Sequence, residues 1–379
     1  MKIIPYGKQC IDNLDIAEVI KVLKSDWITQ GSKISEFEAA LAKCCSVKHA
    51  VAVSSGTAAL HAAMNAIGIS PGDEVIVPPI TFAASANCIV YQGGTPVFSD
   101  VESSTLLLDP KKVESKITQN TKAIIAVDYA GQPCDYGSLR RIASKHSLAL
   151  VSDACHALGA KYKGQRSGSL ADLTIFSFHP VKHITTGEGG MIVTDNMDYV
   201  DCMRIFRNHG ITADTHQRKK QGSWVYEMVN LGYNYRITDF QSALGNSQLQ
   251  KLPQFLQRRR AIARKYDKAF TLSSKITPLI VNANVFHAYH LYVVKIDFKV
   301  LGIDKASLFT SLQEKGVAVN VHYMPVYLHP FYRNKFNSKL GLCPIAEAVY
   351  EQIISLPIFP NMTDEDVNYV IENVLNLVK

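Results

Sequence analysis

The chain has no cysteine spacing that would make a metal site or a disulfide framework. Its eight cysteines stand at 10, 44, 45, 88, 134, 155, 202 and 343, none as Cys-x-x-Cys, and several fall inside apolar periodic segments. In such places cysteine behaves as a small buried hydrophobe, so no metal is expected. The opening residues, Met1-Lys2-Ile3-Ile4-Pro5-Tyr6-Gly7, lack the apolar region of a secretory signal, and no apolar run is long enough to span a bilayer. A cytoplasmic protein is therefore expected. No Gly-x-Gly-x-x-Gly follows the first strand-like run, which disfavours a nicotinamide-binding oxidoreductase. The basic clusters, Arg218-Lys219-Lys220 and Arg258-Arg259-Arg260 through Arg264-Lys265, have no aromatic residues interleaved. Nucleic acid is not their expected partner. Internal repeats and low-complexity segments are also missing.

What remains is a chain of 379 residues, 47% hydrophobic and 19% charged, with a formal net charge of +7. That length predicts two domains of a globular protein. The mild basic excess suits a solvated helix face, or a rim that attracts a phosphorylated small molecule.

From about residue 47 to 195, β-rich runs alternate with helical ones. The runs His49 to Ser54, Glu74 to Val77, Pro96 to Ser99, Ala123 to Val127, Ala149 to Asp153, Leu173 to Ser177 and Met191 to Thr194 read as strands. Helix-like stretches separate the first five: Thr57 to Ile67, Ala83 to Tyr91, Pro110 to Ile117 and Tyr136 to His146. This alternation predicts an α/β fold with a mostly parallel sheet covered on both faces, and a ligand site at the carboxyl ends of the strands. After Arg236 the pattern changes. Thr238 is a plausible N-cap for a helix to about Leu252, and Pro253 to Phe270 reads as a long connecting helix. A strand (Leu291 to Ile296), a helix (Lys305 to Lys315), a strand (Ala318 to Val321) and two terminal helices complete a smaller α+β domain. The expected division is 1–252 and 253–379.

Two strand ends carry chemistry. Asp153 closes one apolar run, and Lys182 follows another in Ser177-Phe178-His179-Pro180-Val181-Lys182, before Gly187-Glu188-Gly189-Gly190. A lysine that can form a Schiff base, with a carboxylate that can keep a pyridine nitrogen protonated, is what a pyridoxal phosphate (PLP) site requires. Alone, Lys182 reads equally well as a solvated surface lysine. The turn Ser54-Ser55-Gly56-Thr57 before a helix start suits a phosphate, although such turns are common. Phe82 follows a strand end, where an aromatic either stacks on a flat ring or plugs core. His156, three residues after Asp153, either reaches the same ring or is a buried histidine satisfied by backbone.

Together, Ser54-Ser55-Gly56-Thr57-Ala58-Ala59-Leu60, Asp153-x-x-His156, the Ser177 to Gly190 segment and Gly232-Tyr233-Asn234-Tyr235-Arg236 resemble the sugar aminotransferase family named for DegT, DnrJ, EryC1 and StrS. The match runs in order along almost the whole chain. The resemblance implies a fold type I (aspartate aminotransferase-like) PLP enzyme, built as a homodimer with active sites at the interface. It implies that Lys182 carries the cofactor, Asp153 pairs with its ring nitrogen and Phe82 stacks on the ring. His156 stands where many members have glutamine, near the phenolic oxygen. Ser55, Gly56, Thr57 and Ser177 would hold the phosphate, with Asn234 reaching it from the other subunit. Some members replace the lysine with histidine and dehydrate; the lysine here implies transamination, with glutamate as the expected donor.

One branch is similar in finer detail, through Ile4-Pro5-Tyr6-Gly7, Asp26-Trp27-Ile28-Thr29, Lys182-His183-Ile184-Thr185-Thr186 and His322-Tyr323-Met324-Pro325. That branch makes UDP-4-amino-4,6-dideoxy-N-acetyl-β-L-altrosamine for pseudaminic acid. By analogy these residues would line a UDP-sugar pocket; Tyr323 and Tyr327 equally suit packing at a domain junction. Another keto-sugar nucleotide (perosamine-, bacillosamine- or aminoarabinose-type), or a non-catalytic sugar-nucleotide-binding homologue, are the alternatives.

Overall fold

The computed structural model describes residues 2–212, 222 and 224–378. The basic run Arg218-Lys219-Lys220 lies outside the described residues. In chain order the first nine strands are β1 (His49–Val53), β2 (Glu74–Val77), β3 (Thr95–Phe98), β4 (Thr121–Val127), β5 (Ala149–Asp153), β6 (Lys161–Tyr162), β7 (Gln165–Arg166), β8 (Leu173–Ser177) and β9 (Gly190–Thr194). Seven of them form one sheet in the order β1-β9-β8-β5-β4-β2-β3. Every pairing from β5 outward through β4 and β2 to β3, and that of β5 with β8, is parallel. Only β9 runs against its neighbours β1 and β8. All seven strand runs read from the sequence are thus present in a mixed, mainly parallel sheet. Their continuous Val/Ile/Ala character reflects burial on both faces.

Helix α1 (Asn13–Leu23) and helix α2 (Ser32–Cys45) precede the sheet. Helix α3 (Gly56–Ile67) begins at the Ser55 N-cap and ends at Gly68, whose φ of +83° suits a residue without a side chain. Its Ala58, Ala59, Ala62 and Ala63 lie buried, and small side chains let the backbone come close to the sheet. Helix α4 (Ala84–Tyr91) follows β2.

A helix from Asp239 to Phe270 forms the spine of the molecule. Thr238 caps it as expected, in a reciprocal pair with Gln241. It runs unbroken through Pro253, so the expected boundary at 252/253 falls inside a helix. Proline in a helix interior costs about 3 kcal/mol; burial of Leu252, Phe255, Leu256 and Arg259 on either side of it offsets that penalty. Buried Asp15 of α1 clamps the first half of this helix through Ser247, Gln248 and Lys251, all at 2.6–2.7 Å.

Beyond the spine, β10 (Ile276–Pro278), β12 (Tyr292–Ile296) and β13 (Ile353–Leu356) make a small antiparallel sheet, while β11 (Val285–Phe286) pairs with β6. The small sheet shares a core with Ile262, Tyr266 and Phe270 of the spine, and with Ile4. The expected strand Ala318 to Val321 is present only as single bridges, Ile4 to Val317 and Asn320 to Ser355. The reason is local: Asn320 turns its own side-chain oxygen onto the Val321 N–H at 2.8 Å, which takes that donor out of any ladder. Three helices, Pro330–Phe336, Pro344–Tyr350 and Asp364–Leu377, stand where two were expected. Among the described residues no helix is long and apolar enough to cross a membrane.

Candidate active site

The carboxyl ends of β1, β5 and β8 open into a cavity of about 870 Å³. Asp153 ends β5 and is nearly buried. Ser85 Oγ donates to its Oδ2 at 2.6 Å and the Cys155 N–H to its Oδ1 at 3.2 Å, while Thr81 holds Ser85 at 2.6 Å. The carboxylate is therefore fixed in orientation yet still faces the cavity.

Across from it the β1–α3 turn brings Ser55, Gly56 and Thr57 beside Ser177. Two glycines make this approach possible. A Cβ on Gly56 would lie 2.9 Å from Ser177 Cβ, and one on Gly190 would lie 2.3 Å from the Ser55 carbonyl oxygen. Ser55 Oγ accepts from the Ala58 N–H at 3.0 Å, so the first turn of α3 is capped by a neutral group, with no acidic residue beside it. The positive end of the helix is left facing the cavity for an anion.

Lys182 stands on the loop between β8 and β9. The Phe178 N–H donates to Gly189 O, the Thr186 N–H and Thr185 hydroxyl donate to Phe178 O, and the Lys182 N–H donates to His179 O. Ile184, Thr185 and Thr186 are buried; they hold the loop shape and do not line the cavity. Lys182 itself lines it, 3.4 Å from His290 Nε2. Desolvation lowers the Lys182 amine from its usual basicity, with Arg259 adding to the effect and Cys155 and Asp153 opposing it.

Phe82 is 61% exposed at the cavity mouth, so it does not plug the core; its ring lies 6.2 Å from that of Tyr323. His156 is buried with Nε2 3.3 Å from the Tyr323 hydroxyl and Nδ1 without a partner among the described residues. Tyr6, His322, Tyr323 and Met324 complete one wall. Other expected residues are elsewhere. His183 is 2% exposed and does not line the cavity; its Nε2 lies 3.1 Å from Ala288 O. Asp26, Trp27, Ile28 and Thr29 lie outside this chain's cavity, with Ile28 O accepting the Asp239 N–H and Thr29 bridging Thr238. Pro325 is not in the lining, and Asn234 pairs with Asn208 away from it. Sequence reasoning missed Ser85, Thr81, His290 and Asn320. Ser85 sits three residues after Phe82, a helical spacing that could have flagged it; His290 had no local signal.

A model of the DegT/DnrJ/EryC1/StrS aminotransferase family matches residues 9–375. The chain belongs to that family. An uncharacterised protein of Methanocaldococcus jannaschii is 44% identical over 99% of this chain and 97% of its own. The spore coat polysaccharide biosynthesis protein SpsC of Bacillus subtilis is 41% identical over the same shares. Among solved structures, Helicobacter pylori PseC, an aminotransferase involved in pseudaminic acid biosynthesis, superposes with a TM-score of 0.93 at 35% identity, covering 100% of this chain and 99% of PseC. Spr1654 of Streptococcus pneumoniae, solved in its PMP-form, matches with the same TM-score at 36% identity and 99% coverage of both chains.

This member is a PLP-dependent sugar aminotransferase of fold type I. Its residues fit the cofactor. A lysine nitrogen and a fixed carboxylate share one cavity with the N-terminus of α3, and the His156 Nδ1, without a partner among the described residues, is a buried polar atom in the same wall.

The site also stores a pH dependence. Burial first of all depresses His156, His183 and His290 well below the usual imidazole range, His322 to about 4 and His287 to about 3. An unfolded histidine takes up its proton near pH 6.5. Below that value the unfolded chain binds protons that the folded one refuses, so stability present above pH 6.5 is lost as pH falls toward the folded values. Each such histidine contributes about 1.4 kcal/mol per pH unit in that window. Asp128, raised by burial to about 7, works the other way and offsets roughly one of them. Thermal melting followed from pH 7 to pH 4.5 is expected to fall steeply and continuously; a flat melting temperature between pH 7 and 5 would contradict the buried neutral cluster.

Proposed function

We propose that this aminotransferase moves the amino group of L-glutamate to C4 of UDP-4-keto-6-deoxy-N-acetyl-L-altrosamine, giving the UDP-4-amino-4,6-dideoxy sugar used for pseudaminic acid. The observation that carries this reading is the wall formed by Tyr6, His322, Tyr323 and Met324, which brings segments resembling the pseudaminic branch onto Lys182's cavity. The rings of Tyr6 and His322 stand 5.5 Å apart there. The likeness to PseC along the whole chain supports it. The 41% identity to SpsC favours a second reading, the same chemistry on the keto-sugar nucleotide of another polysaccharide.

When bound, PLP supplies an aldehyde carbon that carries the amino group and a protonated ring that draws electrons from the carbon losing its proton. In this reading Lys182 Nζ is the covalent anchor and, once released, the group that takes the proton from the donor's α-carbon. The same nitrogen serves as base when free and as acid once protonated, and desolvation of its site lowers its basicity. Asp153, oriented by Ser85 and the Cys155 N–H, would keep a proton on the ring nitrogen. Ser55, Gly56, Thr57 and Ser177 would hold the phosphate at the α3 N-terminus. Phe82 at the cavity mouth would stack on the ring, and neutral His156 would serve the phenolic oxygen.

The working unit in this reading is a homodimer. Asn234 does not line its own cavity, and the segment before it exposes Trp224 (85%), Met228 (67%) and Leu231 (75%). Large apolar side chains grouped in this way mark an interaction surface. A second copy seated there buries them and lets Asn234, with the Asp26 to Thr29 stretch, reach the partner's cavity.

Two outcomes test the reading. Purified enzyme given glutamate is expected to aminate the L-altro 4-keto substrate at least about tenfold faster than its D-gluco epimer, a margin of about 1.4 kcal/mol; preference for the gluco form would overturn the pseudaminic assignment. Co-expressed Lys182→Ala and Asn234→Asp chains are expected to recover turnover that neither variant has alone, since mixed dimers contain one intact site. No recovery would remove the shared site.

A further inference from the structure

We propose that His290 is the positioning residue for Lys182: its imidazole Nε2 pairs with the lysine nitrogen and holds it over the cavity whenever that nitrogen is not bonded to the cofactor. This rests on the reading of Lys182 as the reactive amine. The contact is 3.4 Å, and among the described residues it is the one hydrogen bond of Nζ. A free amine on a flexible four-carbon stem otherwise explores many rotamers, and proton transfer demands a defined approach.

His290 is suited to the task because its backbone is fixed from several sides. The Ala288 N–H donates to Gly131 O and the Leu291 N–H to Ala130 O. Arg259, 1% exposed, donates through one guanidinium nitrogen to the carbonyls of Tyr289, His290 and Ile358 at 3.1, 3.2 and 2.9 Å. Gly131, at φ +107°, permits the close approach: a Cβ there would stand 2.8 Å from Tyr289 N and 3.0 Å from His290 N. No carboxylate pairs with Arg259 among the described residues, and its Nε has no partner. A buried guanidinium neutralised only by carbonyls is costly, and its three anchors all fix the strand entry that carries His290 and the neighbouring Ile358 turn.

Among the described residues the imidazole Nδ1 has no partner, so the contact with Lys182 sets which nitrogen carries the proton. The groups facing the pair are His156 (ring centroids 4.3 Å), His183 (5.7 Å), Arg259, Asp153 and Cys155, with His322 and Tyr323 behind His156. In that largely cationic and neutral surround His290 stays neutral and accepts a hydrogen bond from the lysine ammonium.

The test uses holoenzyme converted with glutamate to its pyridoxamine form, which frees Lys182. The pH dependence of Lys182 acylation by acetic anhydride, read by peptide mass spectrometry, reports the amine's basicity. His290→Phe removes the acceptor, so the labelling midpoint is expected to move down by about one pH unit, with the glutamate half-reaction about tenfold slower. His290→Gln, whose Oε1 can accept, is expected to restore most of both. A wild-type midpoint in His290→Phe, or equal losses in both variants with the midpoint unmoved, would overturn the proposal and leave a packing role. Lys182→Ala separates this from failure of the underlying reading: if borohydride reduction of that variant loaded with cofactor still leaves a pyridoxyl mass on a lysine, Lys182 is not the anchor at all.

Discussion

The close contact that Gly56 and Gly190 permit between the Ser55–Gly56 turn and the β8–β9 hairpin is the constraint on which the site depends. Gly190 lies against the Ser55 backbone and Gly56 against Ser177 at distances that no Cβ would permit. This contact sets the capped N-terminus of α3 beside the end of β8, and β8 leads directly into the loop that carries Lys182. Because β5 pairs in parallel with β8, the Asp153 carboxylate arrives at the same level from the other side. Three elements distant in sequence thus converge at the carboxyl ends of β1, β5 and β8, with the separation between the α3 N-terminus and the carboxylate fixed by backbone geometry.

A second constraint is desolvation. Lys182, His156, His183, His290 and Arg259 are packed together with little negative charge among them, and each is driven toward its neutral form or held by carbonyls. The buried Arg259 guanidinium, with no carboxylate paired to it among the described residues, leaves positive potential beside a cavity that receives a phosphorylated cofactor. The same arrangement lowers the lysine's basicity, chiefly by desolvation. The cost of assembling it is borne by the cores on either side, one under the large sheet and one around the small sheet.

Much of this was legible in the chain itself. Period and length found all seven strands of the large sheet because those runs are buried on both faces and bounded by turn residues. Strand ends and tight turns marked Lys182, Asp153, Gly56 and Phe82 as candidates, and only the resemblance to the aminotransferase family gave them roles. The residues that were not legible act across long separations. Ser85 reaches Asp153 over 68 positions and His290 reaches Lys182 over 108, and no local pattern encodes either pairing. His183 misled for the opposite reason: adjacent to the key lysine in sequence, it alternates away from the cavity and ties the loop to Ala288. The long helix ran through Pro253 because tertiary packing on Leu252 and Leu256 outweighs the local penalty of the proline.

The central claim is that Lys182, at the end of β8, is the nitrogen on which the cofactor rides. Borohydride reduction of the loaded enzyme, followed by proteolysis and peptide mass mapping, tests it most directly. The account predicts a pyridoxyl mass on the peptide containing Lys182 and on no other lysine; a label on a different lysine, or no stable label at all, would contradict it.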